Sequence, residues 1–238
     1  MQNIFTILFY QPLFNLLIWI YSILPGHDLG IAILLLTVVV KIALLPFSLA
    51  QISAQRAMQE LQPHLSELKE KHKEDKQALA QAQMALFSEK KINPLASCLP
   101  LLIQLPFLFA LFYVLSEGLK NGGQYELLYS FVANPGRLNE TFLGLFSLTA
   151  NHNILLAIIN AAAQYVQVKM ITPKSAPKKA DGKGASDDMT EMMNKQMMIM
   201  MPLMIGVMSY NFPNGIGLYY VAQTLIQLAF QLFVYRKA

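Results

Sequence analysis

Five runs of about 20 apolar residues, the length a helix needs to cross a bilayer, constrain this chain more than any other feature. They are Leu29–Leu49, interrupted by one charge at Lys41; Pro94–Leu119; Asn153–Met170, shorter and more polar; Lys195–Phe212, rich in methionine; and Gly215–Tyr235. Only 13% of the 238 residues are charged and 55% are hydrophobic, whereas soluble domains carry roughly 25% charge. Lipid therefore replaces water over much of the surface. The sequence predicts an all-α membrane protein with five transmembrane helices, built as a single domain over 1–238. Phe212-Pro213-Asn214-Gly215 is a turn signal that folds the last two runs into a tight antiparallel pair.

The segment Ile4–Leu24 is also apolar, but Gln11, Pro12 and Asn15 interrupt it, and Tyr10, Trp19 and Tyr21 favour the membrane boundary. It reads as an N-terminal interfacial helix, not a sixth span. It lacks a basic start and a small-residue cleavage site, so a removable signal is not expected.

Basic residues set the orientation. Segment 51–93 carries Arg56, Lys69, Lys71, Lys73, Lys76, Lys90 and Lys91, and segment 169–195 carries Lys169, Lys174, Lys178, Lys179, Lys183 and Lys195. Arg236 and Lys237 follow in the tail, against only Lys120 and Arg137 on the opposite side. Both large loops and the C-terminus are thus expected in the cytoplasm and the N-terminus outside. In 51–93, Ala54, Met58, Leu61, Leu65 and Leu68 form a heptad seam, and Leu79, Ala82 and Leu86 resume it after a charged turn. This predicts a cytoplasmic helical hairpin, kinked or restarted at Pro63, either as packed structure or as a docking or gating element. Residues 174–191 lack apolar periodicity and are expected to be disordered. The outer loop 120–152 holds an amphipathic stretch near Tyr125–Val132.

Lys41 is the residue that points to function. A lysine inside a span costs about 2.5–3.5 kcal/mol on insertion scales. It stands eight residues before Leu49, about 12 Å along a helix rising 1.5 Å per residue, too far for easy snorkelling. No intramembrane carboxylate is available to it, since Glu117 sits at the outer end of its run. The reading is an unpaired ammonium in a hydrated cavity. Thr37, one turn earlier, shares its face. Asn160, Gln164 and Gln167 make a polar stripe on the third run. Tyr220, Thr224, Gln227 and Gln231, with Gln223 alongside, make another on the fifth. One such stripe is commonly interhelical glue, at about 0.6 kcal/mol per contact. Two stripes and an unpaired lysine fit a shared hydrophilic cavity.

Catalysis finds no support. The chain lacks His-Glu-x-x-His, Gly-x-Ser-x-Gly, a phosphate loop and paired intramembrane carboxylates. His27, His64, His72 and His152 lie in loops or at helix ends, and the lone Cys98 excludes a disulfide framework. No enzyme activity and no cofactor or metal are expected. The net charge of +4 is spread between apolar blocks without an RNA-binding motif, so nucleic acid is not a primary ligand.

Several stretches, in order and spacing, resemble the YidC/Oxa/Alb insertases from about Phe9 to Arg236. They are Gln11-Pro12-Leu13-Phe14, Lys41 with Pro46, Leu61-Gln62-Pro63, the dense stretch Asn93-Pro94-Leu95-Ala96-Ser97-Cys98-Leu99-Pro100-Leu101-Leu102-Ile103-Gln104-Leu105-Pro106, then Phe212-Pro213-Asn214-Gly215 and Leu218-Tyr219-Tyr220. The resemblance implies a five-span core in a bacterial plasma membrane. It also implies a positively charged groove, open to cytoplasm and lipid and closed outside, that receives polar stretches of nascent membrane proteins. It puts Lys41 at the groove charge, Thr37 at the polar position one turn earlier and Tyr220 at an aromatic substrate contact. Asn160 and Gln164 fall in another groove wall. Any contact with a ribosome or general secretion translocase would fall to the cytoplasmic loops.

The chain departs from the family in having lysine where most bacterial members have arginine, which keeps the charge but loses the bidentate fork. The large external domain, the lipid-modified cysteine and the long basic tail of various members are not in this sequence. Two other readings stand beside the insertase. A structural assembly factor of a translocase would give no insertion by itself. A small-solute transporter would predict internal repeats, and none is visible.

Overall fold

The computed structural model describes residues 4–72, 75–92, 99–118, 125–172 and 185–236. Its helices are α1 (Gln11–Ile23, entered through a π-type turn Thr6–Tyr10), α2 (Leu29–Ala43), α3 (Leu45–Lys71), α4 (Lys76–Glu89), α5 (Leu99–Tyr113, running into a π-type turn Val114–Gly118), α6 (Ile154–Ile171), α7 (Ala185–Asn211) and α8 (Asn214–Arg236). A two-stranded antiparallel hairpin, β1 (Thr141–Phe142) and β2 (Phe146–Ser147), lies before α6.

Helix starts follow the local chemistry. Asp28 Oδ1 accepts from Ile31 N (2.9 Å) to begin α2 and Asp75 Oδ1 from Gln77 N and Ala78 N (both 2.9 Å) to begin α4, while Asn153 Oδ1 accepts from Leu156 N (3.0 Å) to begin α6. The run expected to be one span over Leu29–Leu49 is not one helix. It breaks at Leu44, Pro46 stands in the first turn of α3, and the two axes meet at 70°. Proline fits a first turn because the amide it lacks would be unpaired there anyway. Pro63, by contrast, does not restart α3, which runs through it.

Phe14, Leu17 and Ile18 of α1, Ile33 of α2, Leu115 after α5 and Ile216 of α8 are fully buried and form one core. α6 and α7 approach closely. A Cβ on Gly206 would meet the Ala161 methyl at 3.2 Å and the Ala157 carbonyl at 3.4 Å, the small-residue contact that lets helices associate in lipid. Other faces carry exposed apolar side chains: Leu35, Val38, Val39 and Ile42 on α2, Ile154, Leu155 and Ile158 on α6, Leu203, Met204 and Val207 on α7. Soluble monomers do not carry apolar surface on this scale; in a bilayer these are solvent contacts.

By length and composition, Thr6–Ile23, Ile154–Ile171 and Asn214–Val234 can cross a membrane. The bent pair α2–α3 brings the total among the described residues to at most four, and Gln104–Ser116 and Met198–Asn211 are shorter apolar helices. Thr6–Ile23, expected to be interfacial, therefore meets the same length test as the spans. Its α1 part buries Phe14, Asn15, Leu17, Ile18, Ile20 and Tyr21.

The seam residues Leu61 and Leu65 of α3 are buried, and Leu79, Ala82 and Leu86 of α4 are half-buried. Residues 94–98 of the expected second span, with Cys98, and residues 174–184 of the expected disordered loop lie outside the described residues. Residues 185–191 of that loop are helical, because α7 starts at Ala185.

The loop before α6 is tied down by side chains that include Gln11 and Asn15, two of the polar interruptions of the first apolar segment. Asn15 Nδ2 donates to Leu127 O (2.9 Å), its Oδ1 accepts from Tyr129 N (2.6 Å), and Gln11 Nε2 also donates to Leu127 O (3.0 Å). The Tyr21 hydroxyl accepts from Asn139 N (2.8 Å). Tyr125 donates to Gly136 O (2.6 Å), and burial, with Tyr21 and Glu140 nearby, pushes its hydroxyl above the usual tyrosine range.

Candidate polar groove

Lys41 lies in the last turn of α2, three residues before the break at Leu44. A cation is favoured there by the carbonyl end of the helix, typically by about 0.3–1 kcal/mol. The bend also places the ammonium much nearer a helix end than a straight run to Leu49 would. Lys41 is half-buried, and its Nζ lies 3.5 Å from Gln227 Oε1 on α8, the long limit of a hydrogen bond. No carboxylate pairs with it among the described residues.

α8 packs against both α2 and α3, and the polar stripe of α8 runs along it. Thr224, Gln227 and Gln231 are buried, while Tyr220 and Gln223 are half-buried. Gln223 Oε1, Gln227 Nε2 and both amide atoms of Gln231 are buried without a hydrogen-bond partner, as is Gln55 Oε1 on α3. An unmet buried polar group costs about 1–3 kcal/mol, and three such amides stand four residues apart on one face of α8. Buried amides of this kind ordinarily bond to ordered water or another polar group.

Thr37 is buried, with its hydroxyl donating to Ile33 O (2.7 Å) in its own helix. With Val40 it lines a small apolar cavity whose other walls include Leu17, Phe107, Leu111 and Tyr219. Tyr219 also accepts a hydrogen bond from Gln104, which sequence reasoning had left alone, and its ring packs edge-on against Tyr220 at 5.9 Å. Thr37 thus borders apolar side chains, while Lys41 one turn later meets Gln227.

The α6 stripe behaves differently. Asn160 is buried, and its Nδ2 lies within bonding distance of Leu156 O (3.0 Å), Ser209 Oγ on α7 (2.9 Å) and Gly217 O on α8 (3.0 Å). The Leu156 contact lies within α6, and the other two join α6 to α7 and α8. No hydrogen bond joins Lys41 to Asn160, Gln164 or Gln167 among the described residues, and the last two are half-buried. The structure thus brings together Lys41 and Gln227 and sets Asn160 in a separate junction. Sequence reasoning missed Gln55, whose signal is weak because it lies beyond the apolar runs.

Comparison with known proteins agrees with this architecture. The profile of the 60Kd inner membrane protein family matches residues 19–238. The chain is 35% identical to the membrane protein insertase YidC of Fusobacterium nucleatum, over 88% of this chain and 87% of that protein. It is 34% identical to the YidC of Clostridium perfringens, over 98% and 88%. The YidC of Syntrophobacter fumaroxidans, 30% identical over 96% of this chain, is covered over only 38% of its own length. A crystal structure of an active YidC insertase with its first transmembrane domain resolved superposes with a TM-score of 0.64 at 24% identity, covering 95% of this chain and 46% of that one, which shows a shared fold. The chain belongs to the 60Kd inner membrane protein family, to which it is joined by these YidC insertases over most of its length.

Proposed function

We infer that this chain is a membrane protein insertase that works by offering nascent polypeptides a polar seam between α2, α3 and α8. The observation that carries the reading is the run of unpartnered amides on α8 beside the unpaired Lys41. Backbone groups without partners cost several kcal/mol each in hydrocarbon. A seam with spare donors and acceptors shortens the dry part of that path, and an ammonium without a counter-ion draws acidic residues of the substrate. The membrane potential, about 2.3 kcal/mol per charge per 100 mV, then favours outward passage of anionic segments. The substrate's apolar segment leaves sideways into lipid. No step requires a covalent intermediate.

The distribution of Lys and Arg supports a cytoplasmic C-terminus and an N-terminus outside. In that orientation, α3 and α4 form a hairpin at the cytoplasmic mouth of the seam, where a ribosome or translocase would dock. Purified protein in sealed liposomes, given a nascent single-span protein, is expected to convert it to a protease-protected form without nucleotide. Full protection only when a translocase is added would replace the insertase by an assembly factor.

A further inference from the structure

The β1–β2 hairpin is built at one end of the helix bundle. Its strands pair Thr141 with Ser147 and Phe142 with Phe146, and Leu145 N closes the turn on Phe142 O (2.8 Å). The turn places Leu143 at φ +49° and Gly144 at φ +70°. Glycine takes this conformation freely and leucine does not, because its Cβ crowds the following carbonyl. Leu143 is held there by its N–H, which donates to Asp28 Oδ2 at 2.6 Å, while the other oxygen of the same carboxylate caps α2. Phe142 packs on Gly30, where no Cβ would fit. On the other strand, Asn214 Nδ2 donates to Ser147 O (2.7 Å), and Gly215 N and Asn214 N donate to Leu148 O (2.9 Å) and Ala150 O (2.8 Å). The hairpin is therefore fixed to the start of α2 and the start of α8.

A strained leucine invites a reason, and its surroundings supply one. Leu143 is 58% exposed and Leu145 is 74% exposed. No charged residue occurs from Thr141 to Ala150. The tip is one hydrogen bond from the N-cap of an apolar helix, and the hydrocarbon layer around such a helix is expected to end near its first residues. Beyond that edge the headgroup layer is about 5–7 Å thick on each side of the bilayer. Exposed leucines at that depth meet lipid, and a charge-free loop loses nothing there.

We propose that the Leu143–Leu145 tip is a lipid-contacting element, lodging its side chains among the headgroups and first acyl carbons of the leaflet at the Asp28 end of the bundle. This rests on the chain being membrane-embedded and is independent of the insertase reading.

The sole tryptophan, Trp19, is replaced by phenylalanine, and Leu145→Trp is introduced in the full chain in phosphatidylcholine vesicles. Glu67→Trp, at an exposed position on the charged helix α3, is the aqueous control. Leu145→Trp is expected to emit at shorter wavelength than the control. Phosphatidylcholine brominated near the headgroup end of its chains is expected to quench it at least two-fold, with weak quenching by acrylamide. Acrylamide quenching equal to the control, with no effect of bromolipid, overturns the proposal. Shielding from both quenchers also overturns it, since that reports a covering protein or a second copy. If Leu145→Trp does not fold, a spin label at Leu145→Cys in a Cys98→Ser background asks the same question. Access to oxygen above that to a water-soluble nickel chelate supports lipid contact, and the reverse order overturns it.

Discussion

At the α6–α7–α8 junction the Asn160 amide nitrogen reaches acceptors on all three helices. Along the α2–α8 seam the amides of Gln223, Gln227 and Gln231 keep buried atoms that bond nothing in the protein, beside a lysine with one long contact. Both clusters are polar, helical and inside an apolar bundle. The first commits its amide nitrogen to contacts that include both neighbouring helices. The second has kept hydrogen-bonding capacity in reserve, and reserve capacity can serve a substrate. Polarity alone does not separate glue from a working surface; the number of unmet donors and acceptors does.

The contrast is sharpened first at the closed junction. A Cβ on Gly217 would fall 2.6–2.7 Å from Leu156 and Ser209, so Gly217→Val is expected to destabilise the bundle by about 3 kcal/mol, the upper range for overpacking. Thermal unfolding in nanodiscs measures this, and an unchanged midpoint would mean that the junction is loose. Asn160→Leu comes next. Losing two interhelical contacts at about 0.6 kcal/mol each predicts a loss of about 1 kcal/mol, with insertion reduced only as far as folded protein is reduced. Gln231→Leu is expected to do the opposite. Removing a buried amide that bonds nothing in the protein is expected to leave stability unchanged or raise it, while the rate of substrate insertion drops about three-fold. If Gln231→Leu destabilises as much as Asn160→Leu, the distinction between the two clusters is gone.

The smallest effect lies outside both. Tyr125 has its hydroxyl held above the usual range by burial and by Tyr21 and Glu140. The folded loop prefers the neutral phenol, so its contribution is complete below the ordinary value near 10 and fades as pH rises through the folded value. Alkaline titration of tyrosine absorbance should lose its latest-ionising loop phenol in Tyr125→Phe. An unchanged high-pH limb would contradict this.

Much of this was legible from residue order. The α8 stripe follows helical spacing, and Lys41 is conspicuous by charge inside an apolar run. The bend at Leu44 was signalled by Pro46, but unbroken hydropathy on both sides masked it, because lipid-facing residues look alike whether the helix continues or turns. The fate of Asn160 was not legible. Its partners include Ser209 and a backbone carbonyl at Gly217, and only the packed structure tells which helix brings them near. Asn15 likewise looked like an interruption of an apolar helix until its two bonds to residues 127 and 129 gave it a task.

The central claim is that an ammonium with no counter-ion at Lys41 draws acidic substrate segments into the seam. It is tested most directly by the insertion rate of a single-span substrate with an acidic translocated tail, compared between the unaltered chain, Lys41→Ala and Lys41→Arg at equal amounts of folded protein in vesicles. The account predicts at least a ten-fold fall for Lys41→Ala, about 1.4 kcal/mol, and a rate within two-fold of the unaltered chain for Lys41→Arg. Equal rates for all three would contradict it.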